Sequence, residues 1–139
     1  MANAFRASFG QRATQTVIIG TDSPSLPARL VDEAFAALAR ADLVLGPTTD
    51  GGYYLIGLRS QDSGARMGFL STGIEWSTER VLEQTIANAR RARLRVALLA
   101  PWYDVDDDAS LRFLRTHLRA MAACGSKELP KHTWQALRS

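Results

Sequence analysis

Apolar residues alternate along the chain between short continuous runs and longer stretches in which they recur at helical spacing. The continuous runs predict buried strands at residues 16–19, 43–45, 51–58 and 94–99. Spacings of three and four predict helices at residues 27–40, 76–91 and 109–122, with Ser77 or Thr78 as the cap of the second one. This alternation of strands and helices indicates an α/β fold.

The remaining segments are shorter and more polar. Residues 1–12 are predicted to form a short amphipathic helix with Phe5 and Phe9 on one face, and residues 59–73 a loop with one anchoring turn around Met67, Phe69 and Leu70. With 139 residues the chain has the length of a single domain. We expect this domain to cover residues 1–122 and a polar tail to cover 123–139.

Composition narrows the class of protein further. No apolar run approaches the roughly 18 residues that a membrane span requires, so we expect no membrane partner. The single cysteine, Cys124, excludes an internal disulfide and fits a reducing cytoplasm. The net charge is +3, and arginines concentrate at residues 89–95. Cations at a helix end complement the helix dipole, and no aromatic side chain is interleaved with them, so a nucleic-acid partner is the less favoured interpretation.

Polar residues follow three of the predicted strands. The first strand runs into Thr21 and Asp22, the second into the segment GPTTDGG and the fourth into PWYDVDDD. Because ligands of open α/β sheets bind beyond the carboxyl ends of the strands, we expect the three segments to meet at one edge. Asp22 is then either a turn or capping residue or a carboxylate ligand for Mg²⁺ or Mn²⁺ that also holds a diphosphate.

The acidic segment near residue 105 offers a second carboxylate for such a cation. Asp104 and Asp106 alternate along an extended stretch, so one of them could face Asp22 as a metal ligand. Asp107 and Asp108 precede a helix, and their position is typical of acids that complement its positive end.

The sequence Asp50-Gly51-Gly52 has two interpretations. It is either a tight turn before a strand or a place where a ligand approaches the backbone closely, with Asp50 accepting hydrogen bonds from sugar hydroxyls. Trp76 and Ser77 could wall the same pocket, although a tryptophan beside a helix start commonly serves packing. His117 has no evident partner in the sequence, so we assign it no chemistry.

Four segments, in this order and spacing, resemble a bacterial family of glycosyltransferases with the three-layer glycosyltransferase-A, or nucleotide-diphospho-sugar transferase, fold. They are VIIGTDSPSLP, LVLGPTTDGGYYLIGL, IEWSTERVLEQT and YDVDDDASL. The resemblance implies a transferase acting on a nucleotide-activated substrate, with catalytic residues Asp22 and Asp50 and a metal held by Asp22, Asp104 and Asp106. It places substrate contacts at Thr21, Gly51, Gly52, Trp76 and Ser77. Asp107 stands where the family motif DVDT has threonine, which leaves the capping role of that position open.

The same resemblance predicts that the chain is the C-terminal portion of the fold. A complete member would carry a phosphate-binding loop and further βα units before GTDSPSLP. We therefore expect the strand at residues 16–19 to have a vacant edge, and a homodimer or larger oligomer to form through it. The alternative is a catalytically silent remnant that binds a small ligand or a partner chain.

Overall fold

The computed structural model describes residues 1–60 and 64–138. Strands and helices alternate along it, as the apolar pattern predicts. The strands are β1 (Gln15–Ile19), β2 (Leu43–Pro47), β3 (Tyr53–Arg59) and β4 (Val96–Leu98). The helices are α1 (Ala2–Gly10), α2 (Ala28–Leu38), α3 (Val81–Arg91), α4 (Asp108–Ala123) and α5 (Lys131–Leu137), with a 3₁₀ segment at Gly64–Leu70.

The four strands form one mixed sheet in the order β1-β3-β2-β4. Strand β3 runs antiparallel to both β1 and β2, whereas β2 and β4 pair in parallel. Strands β1, β2 and β4 therefore share one direction, and their carboxyl ends lie at the same edge of the sheet. We call this the site edge; β3 begins there, directly after the glycine pair.

Helices cover both faces of the sheet, because alternate residues of each strand point to opposite sides. Leu43 and Leu45 of β2 join a buried cluster with α1, α3 and the 3₁₀ segment, while Val44 between them packs against α2. The predicted anchoring turn is confirmed: Met67, Phe69 and Leu70 are buried in the first cluster. Residues 61–63 of that predicted loop lie outside the described residues.

Helix α4 builds a third cluster beyond the site edge. Its inward residues Leu114, Leu118 and Met121 pack against the segment around Tyr103 and against α5. The hydroxyl of Thr133 in α5 donates to the carbonyl of Pro24 at 2.8 Å. Part of the segment that the sequence predicts as a tail thus packs onto the domain. Within the described residues, no helix has the length and apolar character needed to cross a bilayer.

At the edge opposite the site, Asp42 joins three strands. It directly precedes β2, is 4% exposed, and accepts hydrogen bonds from Arg59 at the end of β3 and Arg95 just before β4. The Arg95 guanidinium holds the pKa of the Asp42 carboxyl well below its usual range, with Arg59 contributing in the same direction. The side chains of Arg59 and Arg95 thus both stabilise the sheet through the Asp42 carboxylate.

Helix α3 begins later than the sequence predicts. Its first residue is Val81 and its N-cap is Arg80, without a side-chain capping bond, so the prediction that Ser77 or Thr78 caps it is wrong. Ser77 instead takes a left-handed backbone conformation, with φ of 63°. The stretch from Trp76 to Arg80 is a loop at the site edge.

Candidate metal and substrate site at the strand ends

A cleft of about 630 Å³ opens at the site edge. Its walls come from the end of β1, the turn between β2 and β3, the loop before α3 and the segment before α4. Seven of the residues singled out in the sequence line it: Asp22, Asp50, Gly52, Trp76, Ser77, Asp104 and Asp106. The expected convergence of separate loops at one edge is therefore what the structure shows. Thr21 and Gly51 are not among the described residues that line the cleft.

Three carboxylates converge inside this cleft. Asp50, Asp104 and Asp106 each place one carboxylate oxygen within 4.8 Å of the other two. Asp104 is partly buried, whereas Asp50 and Asp106 are exposed. We call these three residues the acidic group.

Asp50 is fixed by the turn that joins β2 to β3. Its carboxylate accepts hydrogen bonds from the Thr48 hydroxyl and from the backbone N–H of Gly52, the latter at 3.0 Å. The Thr48 hydroxyl is the main reason why the pKa of the Asp50 carboxyl is lowered. Asp50 is therefore held as an anion at the site edge.

Asp104 and Asp106 lie on an extended segment beside β2 and β1. The Trp102 N–H donates to the carbonyl of Pro47 at 3.0 Å, and the Val105 N–H donates to the carbonyl of Asp22 at 2.8 Å. Extended backbone alternates its side chains, so the two aspartates face the cleft while Tyr103 and Val105 join the cluster of α4.

Asp107 ends this segment as the N-cap of α4. Its carboxylate accepts from the N–H of Ser110 at 2.7 Å, and the Ser110 hydroxyl accepts from the N–H of Asp107 at 3.0 Å, which completes a capping box. The helix-end interpretation of Asp107 is confirmed. Aspartate accordingly serves as the cap at the position where the family motif has threonine.

The acidic group is electrostatically suited to a cation. Burial raises the pKa of the Asp104 carboxyl, and the neighbouring charges of Asp50 and Asp106 raise it further. Carboxylate oxygens are the donors that Mg²⁺ and Mn²⁺ prefer. Oxygens bound to Mg²⁺ at about 2.1 Å lie at most about 4.2 Å apart, so the observed spacing needs only small side-chain rotations. The three residues fit such an ion.

Asp22 lines the same cleft. Among the described residues it is not one of the three carboxylates that form the acidic group. Its carbonyl holds the Val105 N–H, and its carboxylate accepts a hydrogen bond from the Thr21 hydroxyl at 3.2 Å. Asp50 thus lies beside Asp104 and Asp106, where the sequence predicts Asp22 as the partner of these two acids; the role of Asp22 as a metal ligand stays a prediction. The signal that could have indicated this is the DGG turn itself, because β2 pairs directly with β4 and brings its own end beside the following acids.

Gly51 connects the turn between β2 and β3, which carries Asp50, to the loop before α3. Its φ is +90°, and a Cβ placed there would lie 2.1 Å from the carbonyl oxygen of Glu79. The Gly51 carbonyl also accepts from the N–H of Leu82 at 2.9 Å. This close backbone approach keeps the stretch from Trp76 to Arg80 out of the helix and against the cleft. Trp76, 45% exposed, forms part of the wall there.

His117 has a partner that the sequence did not reveal. The hydroxyl of Tyr103 lies 2.9 Å from Nδ1 of His117 on α4. The expectation that His117 stands without a partner is therefore wrong, because the contact forms only when α4 folds back along the extended segment.

Comparison with known proteins agrees with this architecture. Residues 1–78 match a family described as "Uncharacterized protein conserved in bacteria (DUF2064)". A crystal structure described as a "putative nucleotide-diphospho-sugar transferase", from Desulfovibrio desulfuricans G20, is similar with a TM-score of 0.80 at 33% sequence identity. The match covers 99% of this chain and 58% of that chain, so this chain spans little more than half of that protein's length. No curated protein matches the chain. The chain belongs to the DUF2064 family and has the fold of a nucleotide-diphospho-sugar transferase.

Proposed function

We propose that the protein is a metal-dependent glycosyl or nucleotidyl transferase that acts on a nucleotide-activated substrate. The observation that carries this proposal is the acidic group, which three separate segments build in a cleft at the carboxyl ends of parallel strands. The fold similarity supports the same reaction class. The single cysteine fits a cytoplasmic location.

In this proposal Asp50, Asp104 and Asp106 hold Mg²⁺ or Mn²⁺, and Asp22, which lines the same cleft, completes the ligand set. A cation held by these residues would neutralise the negative charge of the diphosphate leaving group. Trp76 and Ser77 line the wall against which the transferred group or its acceptor lies. Gly52 supports the site through the turn, because a Cβ there would crowd the Thr48 hydroxyl at 3.1 Å and the Asp50 carboxylate at 3.3 Å.

The proposal is tested by titrating the protein with Mn²⁺, followed by paramagnetic resonance of the free ion, and then with a panel of nucleotide sugars by calorimetry. We expect wild type to bind Mn²⁺ and the Asp104→Asn variant to bind it at least roughly tenfold more weakly, since one ligand is lost. Asp108→Asn is the matched control, because Asp108 lies in the same acidic stretch but in the first turn of α4. Absence of Mn²⁺ binding by wild type, or equal binding by all three proteins, would overturn the proposal.

A second candidate function is that of a non-catalytic module that binds a small ligand or assembles with further chains. A specific observation favours it: β1 pairs only with β3 within the described chain, and Ile19 at the site edge is 50% exposed. Under either function we propose a homodimer or larger oligomer formed through this free side of β1.

A further inference from the structure

The segment that carries Asp104 and Asp106 is attached to the protein on two sides. On the sheet side, the carbonyls of Pro47 and Asp22 accept its backbone N–H groups. On the helix side, the Ser110 hydroxyl accepts from the N–H of Asp106 at 3.1 Å, and the Tyr103 hydroxyl lies 2.9 Å from Nδ1 of His117. Tyr103 directly precedes Asp104, so this bond lies one residue from the acidic group.

His117 is held in place by aromatic rings on several sides. The ring of Tyr103 stacks on Trp102 at 5.7 Å and meets Phe113 edge-on at 4.8 Å. The imidazole lies 5.7 to 6.0 Å from all three rings. Trp102 in turn donates from Nε1 to the buried Ser25 hydroxyl at 3.1 Å. The imidazole is therefore confined, and its Nδ1 is a fixed partner for Tyr103.

We infer that His117 is a positioning residue: through Tyr103 it fixes the extended segment, and thereby the spacing of Asp104 and Asp106 in the cation site. This inference rests on the proposed function. A metal site tolerates only small displacements of its ligands, and residues that orient ligands affect metal affinity without touching the ion. Loss of the bond would remove the polar contact that fixes the Tyr103 hydroxyl against α4, one residue before Asp104, and leave the helix-side attachment of the acidic segment to Ser110 and to apolar packing.

The test compares Mn²⁺ affinities, read from the paramagnetic resonance of the free ion, for a set of full-length variants. His117→Leu and Tyr103→Phe each remove the hydrogen bond while keeping an apolar side chain, and each is expected to weaken Mn²⁺ binding about fivefold. The double variant should bind no more weakly than either single variant, because both remove the same bond. His117→Asn places Oδ1 near the position of Nδ1 and should restore most of the affinity.

His132→Leu is the matched control, since His132 is the other histidine of the chain and lies exposed in α5, outside the hydrogen-bonded pair. It should leave Mn²⁺ affinity within about twofold of wild type, even if its thermal midpoint falls. The inference is overturned if His117→Leu and Tyr103→Phe unfold at lower temperature yet bind Mn²⁺ like wild type, or if their effects simply add. Failure of wild type itself to bind Mn²⁺ would instead refute the proposed function.

Discussion

At Asp104, the requirements of ligand binding and of stability oppose each other. The side chain is partly buried beside two further carboxylates, and its pKa is raised first by burial and then by Asp50 and Asp106. A carboxyl whose pKa is higher in the fold than in the unfolded chain destabilises the fold once it is ionised. A backbone hydrogen bond at Asp104 itself relieves this cost only in part, and a bound cation would relieve it further.

We therefore predict that Asp104→Asn stabilises the metal-free protein at pH 7, by up to about 1 kcal/mol because solvent screens the repulsion. This difference in the free energy of unfolding should shrink as pH falls. It should vanish below about pH 4, where the Asp104 carboxyl of wild type is protonated in both the folded and the unfolded state. Urea unfolding at pH 7 and at acidic pH measures it, with Asp108→Asn as control. Adding Mn²⁺ should make wild type the more stable protein, because wild type binds the ion more tightly than the variant does. A variant that is less stable than wild type at pH 7 would contradict the argument.

Single residues also show where sequence reasoning stopped. The sequence indicates Asp22, Asp50, Asp104 and Asp106 as site residues, and all four line the cleft. It does not indicate that Asp50 lies directly beside Asp104 and Asp106, because this depends on the strand order, which no local pattern reveals. His117 was given no role because its partner lies fourteen positions earlier, on a segment whose course is set by β2 and β1.

At the scale of elements, the sequence predicted most of the fold. The apolar runs and helical spacings indicated every strand and long helix, since each element buries one continuous face. What they did not indicate was the start of α3. Ser77 and Thr78 are good capping residues, yet the contact of Glu79 with the backbone of Gly51 keeps them in a loop. A tertiary contact there outweighs the local preference.

Asp42 makes a second prediction at this scale, because it connects the starts of β2 and β4 with the end of β3. Its pKa is lowered, chiefly by Arg95, so its stabilising effect is complete above the ordinary aspartate pKa near 4 and is lost as pH falls below it. Asp42→Asn should cost about 2–3 kcal/mol at neutral pH, since charged hydrogen bonds to both arginines are replaced by weaker ones.

The measurement is urea unfolding of wild type and Asp42→Asn at several pH values between 7 and 2. The difference between them should narrow below pH 4. Asp32→Asn, on the exposed face of α2, serves as the control and should change little. A constant difference across this pH range would show that the loss comes from packing rather than from the ion pairs.

For the whole molecule, the site lies beside a sheet edge that is unpaired within the described residues. The acidic group, Trp76 and Ile19 line one cleft, and Ile19 belongs to β1, whose second side has no strand partner within the described residues. The related transferase structure is considerably longer than this chain. An unpaired apolar edge favours pairing with another chain. Because Ile19 belongs both to this edge and to the cleft, we expect the second chain to lie beside the cleft.

We predict that the protein is a dimer or larger in light scattering at micromolar concentration, rather than a monomer of 15.2 kDa. The hydrogen bond from the Gly20 N–H to the Tyr54 carbonyl implies that the N–H groups of Val17 and Ile19 point away from β3, toward the free side. Ile19→Lys should give a monomer, because a lysine at an exposed edge opposes strand pairing. Phe35→Lys, an equal change of charge at an exposed apolar residue of α2, should leave the assembly intact. If wild type is a monomer, or if both variants dissociate alike, the prediction that the chains assemble through β1 is wrong.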